Sequence, residues 1–289
     1  MKRRVQLMVL SVVVYFSLFI APIKVRACWS ENFLNEDDTD KKATTVQSSL
    51  QLKLSGYAQM QAAWKSEDND TFSIRRARLS LGGQVLKTLK FKLQLDFTRS
   101  PALLDAQAEF TPTQVINLRA GQFLVPFSLE NITSSSDLLT VNRSQAVEKL
   151  APGRDNGSAG RDLGAVVFGS YSIFDYSIGL FNGSGANKAD TNDHKDLAGR
   201  LVAHPWKPLS LAFSIYNGRQ TVGDNPALII RNRYGLELAF NYQRLGFQAE
   251  FIRATDDQTK KEGWYTLATY SVLRQKLQLV GRLEAINLD

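Results

Sequence analysis

Long segments in which apolar and polar residues alternate are the feature that most constrains the fold of this chain. From Leu50 to Trp64 the even positions are apolar or small and the odd positions are mostly polar, and the pattern recurs from Leu89 and from Leu104. A period of two is that of a β-strand with one apolar and one polar face. The segments are mostly about 9 to 15 residues long, and a tilted membrane-spanning strand needs roughly 9 to 11 residues. Their length therefore favours strands that cross a membrane.

A soluble sheet with one buried face also alternates, so alternation alone does not distinguish it from a membrane barrel. The ends and the number of the segments provide further evidence. Aromatic residues lie near segment ends, as in the interfacial girdles of membrane barrels; they are Trp64, Phe72, Phe97, Phe110, Phe123 and Phe174. Thirteen strands are predicted, at 50–64, 72–86, 89–98, 103–111, 115–123, 162–170, 174–182, 195–204, 208–217, 228–241, 246–255, 263–273 and 276–285. We predict an all-β fold, a transmembrane antiparallel β-barrel.

The odd number of strands suggests that the barrel of residues 50–289 is incomplete. Bacterial barrels close with even counts, because an open edge would leave backbone N–H and C=O groups unpaired in lipid. The chain also ends at Asp289 without a terminal aromatic residue. We therefore expect a C-terminal truncation, unless the count is wrong by one strand.

The N-terminus has the pattern of a secretory signal peptide. Basic residues precede an apolar run over Val5–Ala21, and small Ala27 offers a cleavage site. A membrane anchor helix is one alternative, since the run approaches the spanning minimum of roughly 17 residues, and acylation of Cys28 in a lipoprotein is another. We predict a signal peptide over 1–27, a disordered periplasmic arm over 28–49 with little to bury, and location in the Gram-negative outer membrane.

Charge and motifs exclude several function classes. The net charge is +7, from 35 basic and 28 acidic residues, but five basic and no acidic residues lie in 1–27, which leaves 30 basic against 28 acidic. This balance does not favour nucleic acid as a partner. We find no nucleophile elbow, metal-ligand spacing or phosphate loop, and His194 and His204 are expected at solvated positions. We predict no enzyme, no cofactor and no metal site.

The connection at 124–161 is far longer than the others and is rich in Ser, Asn, Arg and Asp. Long connections without secondary structure are usually functional or disordered. Short turns lie on the periplasmic side of a barrel and long loops outside, so this connection becomes the third external loop. We predict that it bends inward from Pro126 and forms the constriction of a pore.

Basic residues are predicted on the inward face of the barrel. In the second strand Ala77 and Leu79 face lipid, which turns Arg76 and Arg78 inward, because an Arg facing lipid at the midplane costs about 2–4 kcal/mol. The break in alternation at Arg75 predicts a β-bulge. Rings of Arg or Lys select anions, and Arg binds phosphate-like groups with directed hydrogen bonds. The predicted anion-binding and pore-lining residues are Arg76, Arg78, Lys90, Lys92, Arg119, Arg143, Arg154 and Arg161.

Two other roles remain open for these cations. Acidic residues share the predicted lumen: Asp96, Asp105 and Glu109. The charged residues of the lumen therefore either select anions or only hydrate the pore without selecting between ions. The loop arginines either narrow the pore or hold the loop to the wall through Asp155, Asp162 or Glu148.

Several motifs, in order over most of residues 50–285, carry a specific resemblance. They are FSIRRARLSLGGQV, LKFKLQLDF, LRAGQFLVPFSLENITSS, LAPGRDNGS with RDLGAVVFG, SIGLFNGSG and KDLAGRL. On these motifs the chain resembles the phosphate-selective porin O and P family. The resemblance implies a sixteen-stranded, usually trimeric, anion-conducting porin whose third loop folds inward. Phosphate or similar anions, membrane lipids and further copies of the chain are then the expected partners.

The segment GRDNGSAGRDLG departs from the single GRD-x-G that the family commonly shows. Either Arg154-Asp155 or Arg161-Asp162 therefore corresponds to the family position. The predicted function is passive diffusion of anions, phosphate or related oxyanions, through an Arg- and Lys-lined lumen. A porin that is non-selective or takes another substrate, and a non-conducting barrel such as an adhesin, are the alternatives.

Overall fold

The computed structural model describes residues 14–29, 48–63, 71–222, 225–273 and 277–289. These belong to two units, Val12–Pro112 and Thr113–Asp289. In each unit the strands are antiparallel, and each strand pairs with the next one along the sequence. The alternating pattern thus predicted the fold class correctly, since the fold is all-β.

The unit Val12–Pro112 is a meander whose strands are β1 (Val14–Trp29), β2 (Ser48–Ala63), β3 (Thr71–Leu86), β4 (Leu89–Asp96) and β5 (Leu103–Phe110). The bulge predicted at Arg75 is present, because Gln59 pairs with Arg76 while the next residue, Met60, pairs with Ile74. The bulge shifts the alternation by one residue, so that Arg76 and Arg78 lie on the face of β3 opposite to Ile74.

Strand β1 lies in the segment for which the sequence predicts a signal peptide. It pairs with β2 from Val14 opposite Ala62 to Trp29 opposite Ser48. Without β1, the edge of β2 would present unpaired N–H and C=O groups, which are a template for an added strand. The signal peptide and its cleavage remain a prediction, and residues 30–47 of the predicted arm lie outside the described residues.

The unit Thr113–Asp289 contains the remaining strands and two short helices. They are β6 (Asn117–Leu124), α1 (Leu129–Ile132), α2 (Gln145–Leu150), β7 (Arg161–Tyr171), β8 (Phe174–Phe181), β9 (Asp196–Trp206), β10 (Leu209–Val222), β11 (Asn225–Tyr242), β12 (Leu245–Asp256), β13 (Thr259–Leu273) and β14 (Leu277–Asn287). Each of the thirteen predicted strands is therefore present within the two units, with ends shifted by a few residues.

The two faces of β11 are the reverse of those in a soluble sheet. Arg231, Arg233 and Glu237 are buried, with 2% exposure for Arg233, whereas Leu236 on the other face is 58% exposed. Strands β12 and β13 continue the pattern with exposed Phe251 and Trp264. An exposed apolar face over a buried charged one is the arrangement of a strand in lipid. No helix in the described part of the chain is long and apolar enough to cross a membrane.

The connection between β6 and β7, residues 125–160, is not structureless as its composition suggested. Ser128 and Ser144 cap its two helices, and their hydroxyls accept hydrogen bonds from the N–H groups of Asn131 and Val147, both at 3.2 Å. This segment, named here the constriction loop, packs on the buried face of the unit. Its apolar residues join strand residues in one core: Phe123, Val125, Phe127, Val147, Leu150, Ala151, Val166, Phe181, Ala198, Tyr216, Ile252, Ala254, Tyr265 and Leu267.

Candidate functional site

Two of the predicted cations on β3 and β4 are paired with acids. Arg78 Nε lies 2.9 Å from Asp96 Oδ2, and both side chains are almost fully buried, at 7% and 2% exposure. Lys92 Nζ lies 2.7 Å from Asp105 Oδ2, with the lysine 42% exposed. The Arg78 pair is therefore buried in the wall, whereas the ammonium group of Lys92 also faces solvent.

Other contacts of the cations on this face involve an amide and an aromatic ring. Arg76 Nη1 donates to Gln59 Oε1 at 2.7 Å. The guanidinium of Arg78 also lies 6.0 Å from the ring centroid of Tyr57. Lys90 is exposed and lies two cross-strand pairs away from Lys92, on the same face. The polar face of β2 to β4 thus presents a row of basic groups.

Two predicted loop residues, Arg143 and Arg154, bind the constriction loop itself. Arg143 donates to the carbonyls of Glu130 at 2.9 Å and Thr133 at 2.6 Å. Arg154 donates to Asn131 Oδ1 at 2.6 Å and to Glu148 at 3.2 Å. Burial lowers the pKa of Arg154 to about 10. Both arginines tie the two helical segments together, so their guanidinium groups are committed to the architecture of the loop.

The last two predicted residues, Arg119 and Arg161, lie at the base of the loop. The guanidinium of Arg119 on β6 lies over the rings of Phe168 and Phe123, at 4.7 and 5.4 Å from their centroids. Arg161, the first residue of β7, is buried and donates to the Ala159 carbonyl at 3.0 Å. Arg119 is a partly buried cation on an aromatic surface, and Arg161 stabilises the end of the loop.

Of the two Arg-Asp pairs, the first reaches across to the sheet. Asp155 Oδ2 accepts a hydrogen bond from Arg233 Nη2 at 3.0 Å and another from Arg231 Nη2. Arg233 is also 2.6 Å from Asp256, which pairs with Lys261 at 2.9 Å. These five residues are named here the anchor cluster. The loop is thus held to the wall by an aspartate on the loop and arginines on the wall.

The second pair serves a neighbouring loop. Asp162 accepts hydrogen bonds from the N–H groups of Gly183 at 2.7 Å and Gly185 at 3.2 Å. A carboxylate that binds backbone N–H groups fixes the loop after β8, so Asp162 has a structural role.

A second set of contacts holds the other side of the loop to β14. Arg282 donates to Thr140 Oγ1 at 2.9 Å and to the Asn142 carbonyl at 2.7 Å. Glu284 accepts from the Gln145 N–H at 3.1 Å, at the start of α2. These bonds attach the middle of the constriction loop to β14, separately from the attachment of Asp155 to β11.

A network of buried acids and hydroxyls lies under α1. Glu250 Oε1 accepts from the Glu130 N–H at 2.7 Å and from the Tyr265 hydroxyl at 2.6 Å. Glu237, its direct cross-strand neighbour, binds Arg200 at 2.6 Å and the Ser214 hydroxyl. These bonds position the start of the loop on the sheet.

Glycines of the wall allow the loop to approach closely. A Cβ at Gly263 on β13 would lie 2.9 Å from the Cβ of Ala146 in α2. A Cβ at Gly235 on β11 would lie 3.3 Å from the Phe127 ring. Such distances leave no room for a larger side chain at Gly263, so helix α2 is seated directly on the strand.

Several residues of this site were missed by the sequence-based prediction: Arg200, Arg231, Arg233, Glu237, Glu250 and Arg282. The alternation of β11 held the signal, because its charged residues occupy odd positions and Ile230, Leu236 and Leu238 occupy even ones. A charged side chain that faces lipid is costly, and this argument placed Arg76 and Arg78 on the inward face. It places the charged residues of β11 on the inward face as well.

Comparison with known proteins identifies the chain. A sequence model of the family "Phosphate-selective porin O and P" matches residues 50–215, more than half of the 289 residues. The chain belongs to this porin family. A comparison with curated protein sequences gave no match.

The porin from Comamonas acidovorans described next shares the fold of this chain. An anion-selective porin from Comamonas acidovorans aligns with a TM-score of 0.57 and 15% identity, over 96% of this chain and 79% of that one. Outer-membrane expressed OmpT of Vibrio cholerae aligns with a TM-score of 0.44 and 12% identity, over 96% and 87% of the two chains. The family and the fold are those of an outer-membrane β-barrel channel.

The porin is located in the Gram-negative outer membrane, and the aromatic residues on its outward face agree with this location. Trp206, Phe240 and Tyr242 cluster at one end of β9 to β11, with ring centroids 6.0 to 6.4 Å apart. Aromatic groups at strand ends lie at the membrane–water interface in barrels of this kind. The exposed apolar residues between the strand ends then face lipid.

Proposed function

We propose that the porin carries out passive diffusion of anions, with phosphate or related oxyanions as the preferred substrates. The observation that carries this proposal is the row of basic groups on the polar face of β2 to β4. It combines Arg76, Arg78, Lys90 and Lys92, of which Arg78 pairs with Asp96 and Lys92 with Asp105. Rings of basic side chains are the usual device for anion pores.

The proposed mechanism is replacement of hydration by side-chain donors. An anion that leaves bulk water loses hydrogen bonds, and partly exposed ammonium groups at Lys90 and Lys92 offer charge-assisted ones. Exposed cations release the anion readily, because their interaction is screened by solvent. Buried Arg78 would contribute little to anion binding, since its guanidinium is paired with Asp96.

The segment 125–160 is proposed to form the constriction of the pore, and the porin is proposed to form trimers. The structural neighbour from Comamonas acidovorans is an anion-selective porin, which supports the anion proposal. The packed helices of the loop and its attachments to β11 and β14 support a fixed constriction rather than a mobile lid.

Reversal potentials in planar bilayers test the proposal. Under a salt gradient the full-length porin is expected to prefer anions, and added phosphate is expected to block chloride current. Lys92→Gln and Lys90→Gln should each lower the anion preference, since each removes one positive charge from this face. Lys87→Gln, in the turn after β3, is the matched control. Cation preference in the unmodified porin would overturn the proposal, and absence of phosphate block would overturn its phosphate part.

A further inference from the structure

We propose that Asp155 sets both the position of the constriction loop and the charge of the wall beneath it. Its carboxylate clamps the loop onto Arg231 and Arg233, and it masks their positive charge from a permeating anion. The inference rests on the proposed anion conduction and adds a residue that limits it.

Two arginine side chains donate hydrogen bonds to the same carboxylate oxygen of Asp155. Asp155 Oδ2 accepts from Arg233 at 3.0 Å and from Arg231, and the three side chains are 10%, 2% and 4% exposed. Charge-assisted bonds of this kind are stronger than neutral ones, and their strength is retained where water is excluded. Asp155 is therefore the main polar link between the end of the loop and β11.

The charges around this link balance only when Asp155 is ionised. The cations are Arg231, Arg233 and Lys261, and the carboxylates are Asp155, Asp256 and Asp196. Asp196 acts on Arg231 through space and accepts a hydrogen bond from Tyr216. Removal of the Asp155 charge thus leaves one uncompensated positive charge in the wall.

The positive charge that loses its partner is that of Arg231 rather than that of Arg233. Arg233 keeps the carbonyl of Leu150 at 3.1 Å and the carboxylate of Asp256 at 2.6 Å. The contact of Arg231 with Asp155 is its ion pair in the described part of the chain, and its Nη1 has no hydrogen-bond partner there. Arg231 is therefore the group whose positive charge would act on a permeating anion once Asp155 is neutral.

Bilayer measurements on three variants of the full-length porin test the inference. Asp155→Asn is expected to raise the anion-to-cation permeability ratio about eightfold. One unit charge about 10 Å away, at an effective dielectric constant of about 20 and one Debye length of screening, favours anions and disfavours cations about threefold each. Arg231→Gln is expected to lower the ratio by a similar factor. The double variant restores the charge balance and should return the ratio to that of the unmodified porin.

Asp137→Asn is the matched control, because Asp137 lies exposed in the same loop and its hydrogen bond is with neighbouring Ser136. A ratio for Asp155→Asn equal to that of Asp137→Asn would overturn the inference, as would a double variant that stays shifted. If Asp155→Asn does not insert, Arg231→Gln decides the matter, because an unchanged or raised ratio in that variant overturns the inference. Lack of anion preference in the unmodified porin would instead count against the proposed function, because this inference depends on differences between variants.

Discussion

Substitution of Leu150 tests whether apolar packing holds the constriction loop on the sheet. Its side chain lies at the end of α2, is 1% exposed and belongs to the core under the loop. Truncation to Ala removes buried methyl groups and leaves a cavity, at a cost of about 2–5 kcal/mol for buried leucines. The cost falls on the docked state, so Leu150→Ala is expected to raise the population of released loop by roughly 30-fold to a few thousand-fold.

Limited proteolysis of the folded porin in detergent measures this population, because cleavage follows the fraction of open segment when opening and closing are fast. Leu139→Ala is the matched control: the same side chain in the same loop, but 40% exposed. A surface change of this kind is expected to stay within about 0.5 kcal/mol. Equal cleavage rates for the two variants would refute the reasoning, since they would mean that the core does not hold the loop.

Three further results are expected. Gly263→Ala pushes a Cβ into α2, an overpacking of about 1–3 kcal/mol, and should speed loop cleavage, whereas Gly281→Ala, with no atom within 4 Å of the new Cβ, should not. Asp96→Ala removes the carboxylate from buried Arg78 and should lower the free energy of unfolding by about 3–5 kcal/mol in urea titrations; a loss under about 1 kcal/mol would contradict the buried-pair interpretation. Burial raises the pKa of Glu130, so the docked loop binds a proton more tightly than the released loop, and protection should increase as the pH falls through that raised pKa. Glu130→Gln should remove this part of the pH dependence, and an unchanged profile would contradict it.

The strands could be predicted from sequence because their signal is local. Alternation repeats along each strand, and even the irregular point at Arg75 shows as a break in that alternation. The inward direction of Arg76 and Arg78 followed from the cost of a charge in lipid. The prediction of an inward loop came from its length and from the family resemblance rather than from its own residues.

The inside of the constriction loop could not be predicted in the same way. Helices of 4 and 6 residues are too short to show a helical period, and they are stable here because of tertiary packing. The bond between Asp155 and Arg233 joins positions 78 apart. Arginine is the residue type expected in an anion site, but Arg143 and Arg154 bind carbonyls and amides of the loop. Which partner each arginine takes is determined only in the folded chain.

The attachment of the constriction loop has a consequence for the order in which the porin folds. The bond from the Glu130 N–H to Glu250 spans 120 positions, and that from Arg282 to Thr140 spans 142. Contacts of such sequence separation form late, because the ends of a long segment must first be brought together. Until β11 to β14 have paired, apolar Val147 and Leu150 remain in water, where unpaired intermediates are prone to aggregate. The segment 125–160 is therefore expected to dock last, after β11 to β14 have paired.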